Sequence, residues 1–167
     1  DYFDVIGGKT AVLFSAAAAA GIEITGAPAA QVEAMRVYGM ELGMAFQIMD
    51  DALDYTASAE QMGKNAGDDF ADQKITLPTI LAWQDGDAEE RAFWQRTLGE
   101  ADFAEGDLER AQALLASHDA VNRSVAVAHD HAVKAGAALT PFIGDKRTAP
   151  LARALADAAL FAAHRAS

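Results

Sequence analysis

Gly43-Met44-Ala45-Phe46-Gln47-Ile48-Met49-Asp50-Asp51-Ala52-Leu53-Asp54-Tyr55 reads as an apolar helix interrupted by three carboxylates and one amide. At about 100° per residue, Asp50 and Asp54 lie about 40° apart, Gln47 lies within about 60° of Asp50, and Asp51 sits toward the flank. All four share one broad face. Carboxylates this close repel one another, and withdrawing any of them from water without a counterion costs several kcal/mol or drives protonation. Charge runs are commonly solvated surface, but this one continues an apolar helix, and a cation removes the conflict. Oxygen ligation without imidazole or thiolate suits a hard ion. Sparse carboxylates that leave positions for water and phosphate oxygens suit Mg2+ better than Ca2+. The chemistry implied is recognition of a phosphorylated molecule.

Working outward, the chain is rich in alanine and lacks the β-branched and aromatic runs that mark strands, so the expected class is all-α. The aspartates close a long helix expected from about Ala29 to Tyr55, preceded by a helix from about Tyr2 to Ala20 that ends at Gly21 and a Gly26-Ala27-Pro28 turn. A loop from about Gly63 to Gln73 follows, and Thr76 is placed to cap a helix with Pro78 in its first turn, ending by Gly86. Asp87, Asp107 and Asp119 are read as caps of three further helices, and Thr148 as the cap of the last. In that last helix Leu151, Leu155, Ala159 and Ala162 recur at helical spacing and predict its buried stripe.

Lys64 and Lys74 flank the loop Asn65-Ala66-Gly67-Asp68-Asp69-Phe70-Ala71-Asp72-Gln73, so two ammonium groups can meet one diphosphate. Either lysine alone would read as ordinary surface. Lys9-Thr10 sits inside the apolar run Val5 to Phe14, where a buried lysine needs a partner or must snorkel to water. The four histidines, His118, His129, His131 and His164, lie in or next to polar helical stretches without the Glu-x-x-His spacing of a di-iron bundle, and none is expected in the site.

The 167 residues suit one domain, and 51% hydrophobic with 23% charged residues is a globular balance. A formal net charge of -12 argues against a nucleic-acid partner, and the lack of cysteine removes disulfides and thiolate chemistry. The longest weakly polar stretch, Ala11 to Ile22, is shorter than the roughly 20 residues of a membrane span, so no transmembrane segment is expected. Asp1 and Asp4 stand where a basic leader would be, which leaves a cytoplasmic location as the expectation. The start without methionine, inside a helix, suggests that the sequence begins partway through a longer protein.

Taken together, Lys9-Thr10, the block Phe46 to Tyr55, and the block Gly63 to Phe70 through Lys74-Ile75-Thr76-Leu77-Pro78 resemble the C-terminal part of a trans-isoprenyl diphosphate synthase, or polyprenyl synthetase. In finer texture the chain is most similar to synthases of the octaprenyl and decaprenyl type, which supply quinone side chains. The resemblance implies an isoprenoid-synthase-type helical bundle, with residues 1–167 as its C-terminal portion and the N-terminal half, with its first aspartate-rich motif, absent. It implies condensation of isopentenyl diphosphate with an allylic diphosphate, Mg2+ as cofactor, and a homodimer. Metal contact falls to Asp50, Asp51 and Asp54, with Asp50 the direct ligand. Substrate contact falls to Lys9, Thr10, Phe46, Gln47, Lys64, Asp69 and Lys74, of which Lys9, Thr10, Gln47, Lys64 and Lys74 take part in the chemistry. Gln73 stands where the family often has glycine. Two other readings are a non-catalytic helical subunit of the same fold and a terpene cyclase. The intact lysines and aspartates weigh against the first, and the Lys74-to-Pro78 segment against the second.

Overall fold

The computed structural model describes residues 2–56 and 67–164, and every regular element among them is helical. Helix α1 (Tyr2–Glu23) contains a π-helical turn at Gly7–Ala11, and α2 (Ala29–Leu53) is the longest element. After the short α3 (Asp68–Ala71) come α4 (Leu77–Asp85) and α5 (Ala88–Trp94), which continues into a second π-helical turn at Gln95–Gly99. Helices α6 (Asp107–Ser117), α7 (Ala120–Ala138) and α8 (Ala149–Ala162) complete the chain, with a 3-10 turn at Thr140–Phe142. Contacts divide it into two compact units. The first holds the residues up to Met49 and those from Ala126 onward; the second holds Asp50–Val125.

In the first unit α1 and α2 meet through glycine. A Cβ on Gly43 would lie 2.5 Å from the Cα of Ala11, and one on Gly39 would collide with the carbonyl of Phe14. Only hydrogen at these positions lets the two backbones approach so closely. The Ser15 hydroxyl donates to the Arg36 carbonyl at 2.9 Å, Tyr38 donates to the Leu155 carbonyl of α8 at 2.9 Å, and His131 of α7 meets Glu41 at 2.6 Å. His131 is therefore a half-buried tie between helices and not a residue of a solvated stretch.

The second unit has an aromatic core in which Tyr55, Phe70, Phe93, Trp94 and Leu115 are buried together. Asp87 caps α5 by accepting from the N–H groups of Glu89 and Glu90, and the Glu90 carboxylate accepts from the Asp87 N–H. At Thr76 it is the Thr79 hydroxyl that accepts from the Thr76 N–H, at 3.1 Å, and donates to the Thr76 carbonyl.

Several expectations are corrected. Asp107 is not a cap: Gly106, at φ 86°, precedes α6, while the Asp107 carboxylate accepts two bonds from Arg96, at 2.7 and 3.0 Å, and one from the Ala104 N–H. The Arg96 guanidinium holds that carboxyl below the usual carboxylate range. The Thr148 hydroxyl donates to the Phe142 carbonyl instead of capping α8. Of the stripe expected for α8, Ala159 is buried and Leu155 and Ala162 are half-buried, whereas Leu151 is 66% exposed and its neighbour Ala152 is buried instead. The stretch read as too short for a span belongs to the 22-residue helix α1, which is long and apolar enough to cross a membrane by length and composition. Its glycine-mediated contacts with α2 are those of a packed helix.

Candidate functional site

Asp51 and Asp54 are buried at the end of α2, 5% and 6% exposed, and Asp50 is half-buried. The chain then folds back on this helix end. The Gly67 N–H donates to the Asp54 carbonyl at 2.9 Å, and the Asp69 N–H donates to Asp54 Oδ2 at 3.0 Å. Gly67 makes the return possible: its φ of +87° is left-handed, and a Cβ there would strike the Leu108 side chain. Asp69, buried in turn, accepts from Lys74 Nζ at 2.5 Å, and Asp72 lies 3.6 Å from the same ammonium. The result is a relay, Asp54 to the Asp69 main chain to the Asp69 carboxylate to Lys74, that no spacing rule in the sequence revealed.

This arrangement leaves Asp54 short of compensation. Burial is the largest influence and pushes its carboxyl up to about 6; Asp69 and Asp68 push the same way, against the Asp69 N–H and Lys74. The donor set is oxygen alone. Among the described residues no three Asp, Glu or His side chains form a group that could by itself hold a metal ion, so Asp50, Asp51 and Asp54 do not converge as a ready three-carboxylate site. An all-oxygen donor set that includes the charge-starved Asp54 suits a hard divalent ion that takes its remaining ligands from water or phosphate oxygens.

In the first unit the Thr10 hydroxyl donates to Gln47 Oε1 at 2.8 Å, which joins two of the expected site residues across 37 positions of sequence. Thr10 and Lys9 lie within the π-helical turn Gly7–Ala11, a distortion frequent at functional sites. Lys9 is exposed, not buried, so it needs no internal partner. Phe46 packs against Phe14, ring centroids 5.5 Å apart. Lys64 and its neighbours Gly63, Asn65 and Ala66 lie outside the described residues.

A profile of the polyprenyl synthetase family matches residues 1–115. The chain belongs to that family. Among its relatives, the octaprenyl diphosphate synthase of Haemophilus influenzae is 36% identical over 135 residues, covering 81% of this chain and 41% of that protein. A polyprenyl synthase from Caulobacter crescentus, solved in complex with calcium and isoprenyl diphosphate, superposes with a TM-score of 0.90 at 42% identity over 99% of this chain and 49% of its own. A decaprenyl diphosphate synthase from Rhodobacter capsulatus gives a TM-score of 0.88 at 43% identity, covering 99% and 50%. The chain thus spans about half, or less, of the length of the polyprenyl synthetases it matches, and it matches their C-terminal part.

The glycine that polyprenyl synthetases often carry before the second loop lysine has a visible counterpart. Gln73 adopts φ 57°, the left-handed region that costs a side-chain-bearing residue about 1 kcal/mol or more. The turn expected from the family survives the substitution, under strain. Gln73→Gly is expected to raise stability by about 1 kcal/mol in urea unfolding; a loss would mean that the exposed Gln73 side chain contributes more than its backbone conformation costs.

Proposed function

We propose that this chain is the C-terminal portion, residues 1–167, of a trans-prenyltransferase that condenses isopentenyl diphosphate with an allylic diphosphate, yielding a polyprenyl diphosphate for a quinone side chain. The observation that carries the reading is the buried carboxylate of Asp54, which burial pushes up to about 6, tied through Asp69 to the cation Lys74, with Asp51 buried beside it in the chain.

In this reading Asp50, Asp51 and Asp54 hold Mg2+, with Asp50, the more accessible of the three, in direct contact. When bound, the ion supplies Lewis-acid neutralisation of the diphosphate leaving group. Lys74 and Lys64 neutralise diphosphate oxygens beside the loop, and the exposed Lys9 supplies a further ammonium. Asp69 positions Lys74 and limits its mobility.

The difficult step is heterolysis of the allylic C–O bond, whose electron pair leaves with the diphosphate. The allylic cation left behind is stabilised by the amide dipole of Gln47 and the oxygen of Thr10, whose hydrogen is directed at Gln47. Phe46 adds an aromatic wall. Attack by the isopentenyl double bond forms the new C–C bond, and the proton lost from the adjacent carbon passes to the released diphosphate, so no side-chain base is needed. The parent enzyme is a cytoplasmic homodimer in the same proposal.

The test is calorimetric titration of the chain with an allylic diphosphate, with and without Mg2+, beside Asp50→Ala. Mg2+-dependent binding that weakens at least tenfold in the variant is expected, a loss of about 1.4 kcal/mol or more. Absence of binding by the folded chain would defeat the assignment of these residues and favour a non-catalytic helical subunit.

A further inference from the structure

The return of the chain to the end of α2 is gripped by a later segment of the second unit. Leu108, in the first turn of α6, fills the space where a side chain at the buried Gly67 would stand, and it packs against the aromatic core at the same time. Three residues after Gly67, Phe70 meets Phe103 edge to face, ring centroids 5.3 Å apart. Gly67 and Phe70 bracket Asp69, so these two contacts hold both ends of the stretch that carries the Asp69 N–H to Asp54 and the Asp69 carboxylate to Lys74. Lys74 is 51% exposed on a flexible stem, and its ammonium is placed by that carboxylate.

One ion pair braces the gripping segment. The Arg96 guanidinium donates to both oxygens of Asp107 and to the Asp102 carbonyl, while Asp107 also accepts from the Ala104 N–H. Arg96 lies over the Phe93 ring, 5.7 Å from its centroid, and the Asp107 side chain is 9% exposed. An exposed ion pair contributes little, whereas a bidentate one with main-chain anchors fixes geometry. Phe103 and Leu108 belong to the loop and helix start so fixed.

We propose that Arg96, Asp107, Phe103 and Leu108 are positioning residues of the prenyl-transfer site: by bracing residues 102–108 they seat Asp69 against Asp54 and so set where the Lys74 ammonium stands. The inference rests on the prenyl-transfer reading of the aspartates and Lys74, and the four residues act only through Asp69.

The test pairs amide hydrogen exchange of the full metal-free chain with calorimetric titration of an allylic diphosphate in Mg2+. In Leu108→Ala the Gly67 and Asp69 N–H groups should exchange about tenfold faster while amides within α7 keep their protection. Mg2+-dependent affinity should fall about tenfold, the low end for groups that orient ligands from behind. Leu108→Met, which refills the space, should restore both. Asp107→Asn, which removes the charge that Arg96 closes upon, should quicken exchange at the same two N–H groups and keeps the test open if Leu108→Ala does not fold. Unchanged exchange at Gly67 and Asp69, with the helices alone losing protection, would make these ordinary packing residues and overturn the proposal. So would a loosened return that binds the diphosphate as tightly as the unaltered chain does. If the unaltered chain binds no diphosphate, the prenyl-transfer reading is what fails, while the exchange rates still decide whether the brace seats Asp69.

Discussion

Asp54→Asn is expected to make the metal-free chain more stable at pH 7 while removing its Mg2+-dependent affinity for an allylic diphosphate. The Asp54 carboxyl ionises near 6 in the folded chain against 3.8 for the unperturbed group, so folding favours its protonated form. Below about pH 4 both folded and unfolded chains hold this proton and Asp54 carries no ionisation penalty. As the pH rises from about 4 through 6 the unfolded chain releases the proton first, and stability falls by up to about 3 kcal/mol. The asparagine keeps an oxygen to accept from the Asp69 N–H but carries no charge. Its stability should be flat across that window and should exceed that of the unaltered chain above pH 6 by about 2 kcal/mol, roughly 4–8 °C in Tm for a chain of this size.

Thermal melts from pH 4 to pH 8, with and without Mg2+, check both halves of this expectation. Mg2+ should raise the Tm of the unaltered chain near neutral pH by binding only the folded form, and should do so far less in the variant. Equal destabilisation of Asp54→Asn at every pH would mean that its negative charge is fully compensated in the fold. The physical point is a trade of stability for function: a carboxylate buried without a full counter-charge weakens the empty protein and leaves it ready to receive a cation.

The second large effect falls on the contact between α1 and α2. Gly39→Ala and Gly43→Ala each place a methyl group against backbone, at Phe14 and at Ala11, and backbone has no rotamer with which to give way. Each is expected to cost about 2–4 kcal/mol by forcing the helices apart, at or above the usual range for overpacking. Gly43 lies one turn from Gln47, so the separation should also break the 2.8 Å bond from Thr10. Gly8→Ala is the control: a Cβ there meets nothing within 4 Å, and the helix gains up to about 1 kcal/mol from the better helix former. Urea unfolding of the three variants separates the cases. Equal stability of Gly43→Ala and Gly8→Ala would refute close packing at this crossing.

Much of the candidate site could be named from the sequence because its signals are local. Asp50, Asp51 and Asp54 announce themselves as charges within an apolar helix, and Thr10 and Gln47, named separately from the sequence, are joined by a hydrogen bond. The cap at Asp87 was equally readable, since Asp87 and Glu90 satisfy one another within a single turn. Asp107 misled for the converse reason: its carboxylate is engaged by Arg96, eleven residues away, and no turn-level rule carries that information. Of the two readings open for Lys9 the structure takes the one in which its head reaches water, and Leu151 alone of its stripe misled, because it stands at the exposed start of α8 while Ala159 is buried.

The sequence by itself determined the all-helical class, the positions of most helices and the stretch that carries the carboxylates, because helix propensity, capping and charge spacing act within a few residues of one another. Only the tertiary structure decided that Asp69 returns to Asp54 and holds Lys74, that Gln73 bears a left-handed backbone, and that α1 and α2 touch through bare glycine. Those outcomes depend on which groups are brought together from distant parts of the chain and shut away from water, where distance and lost hydration, not sequence spacing, set the energies.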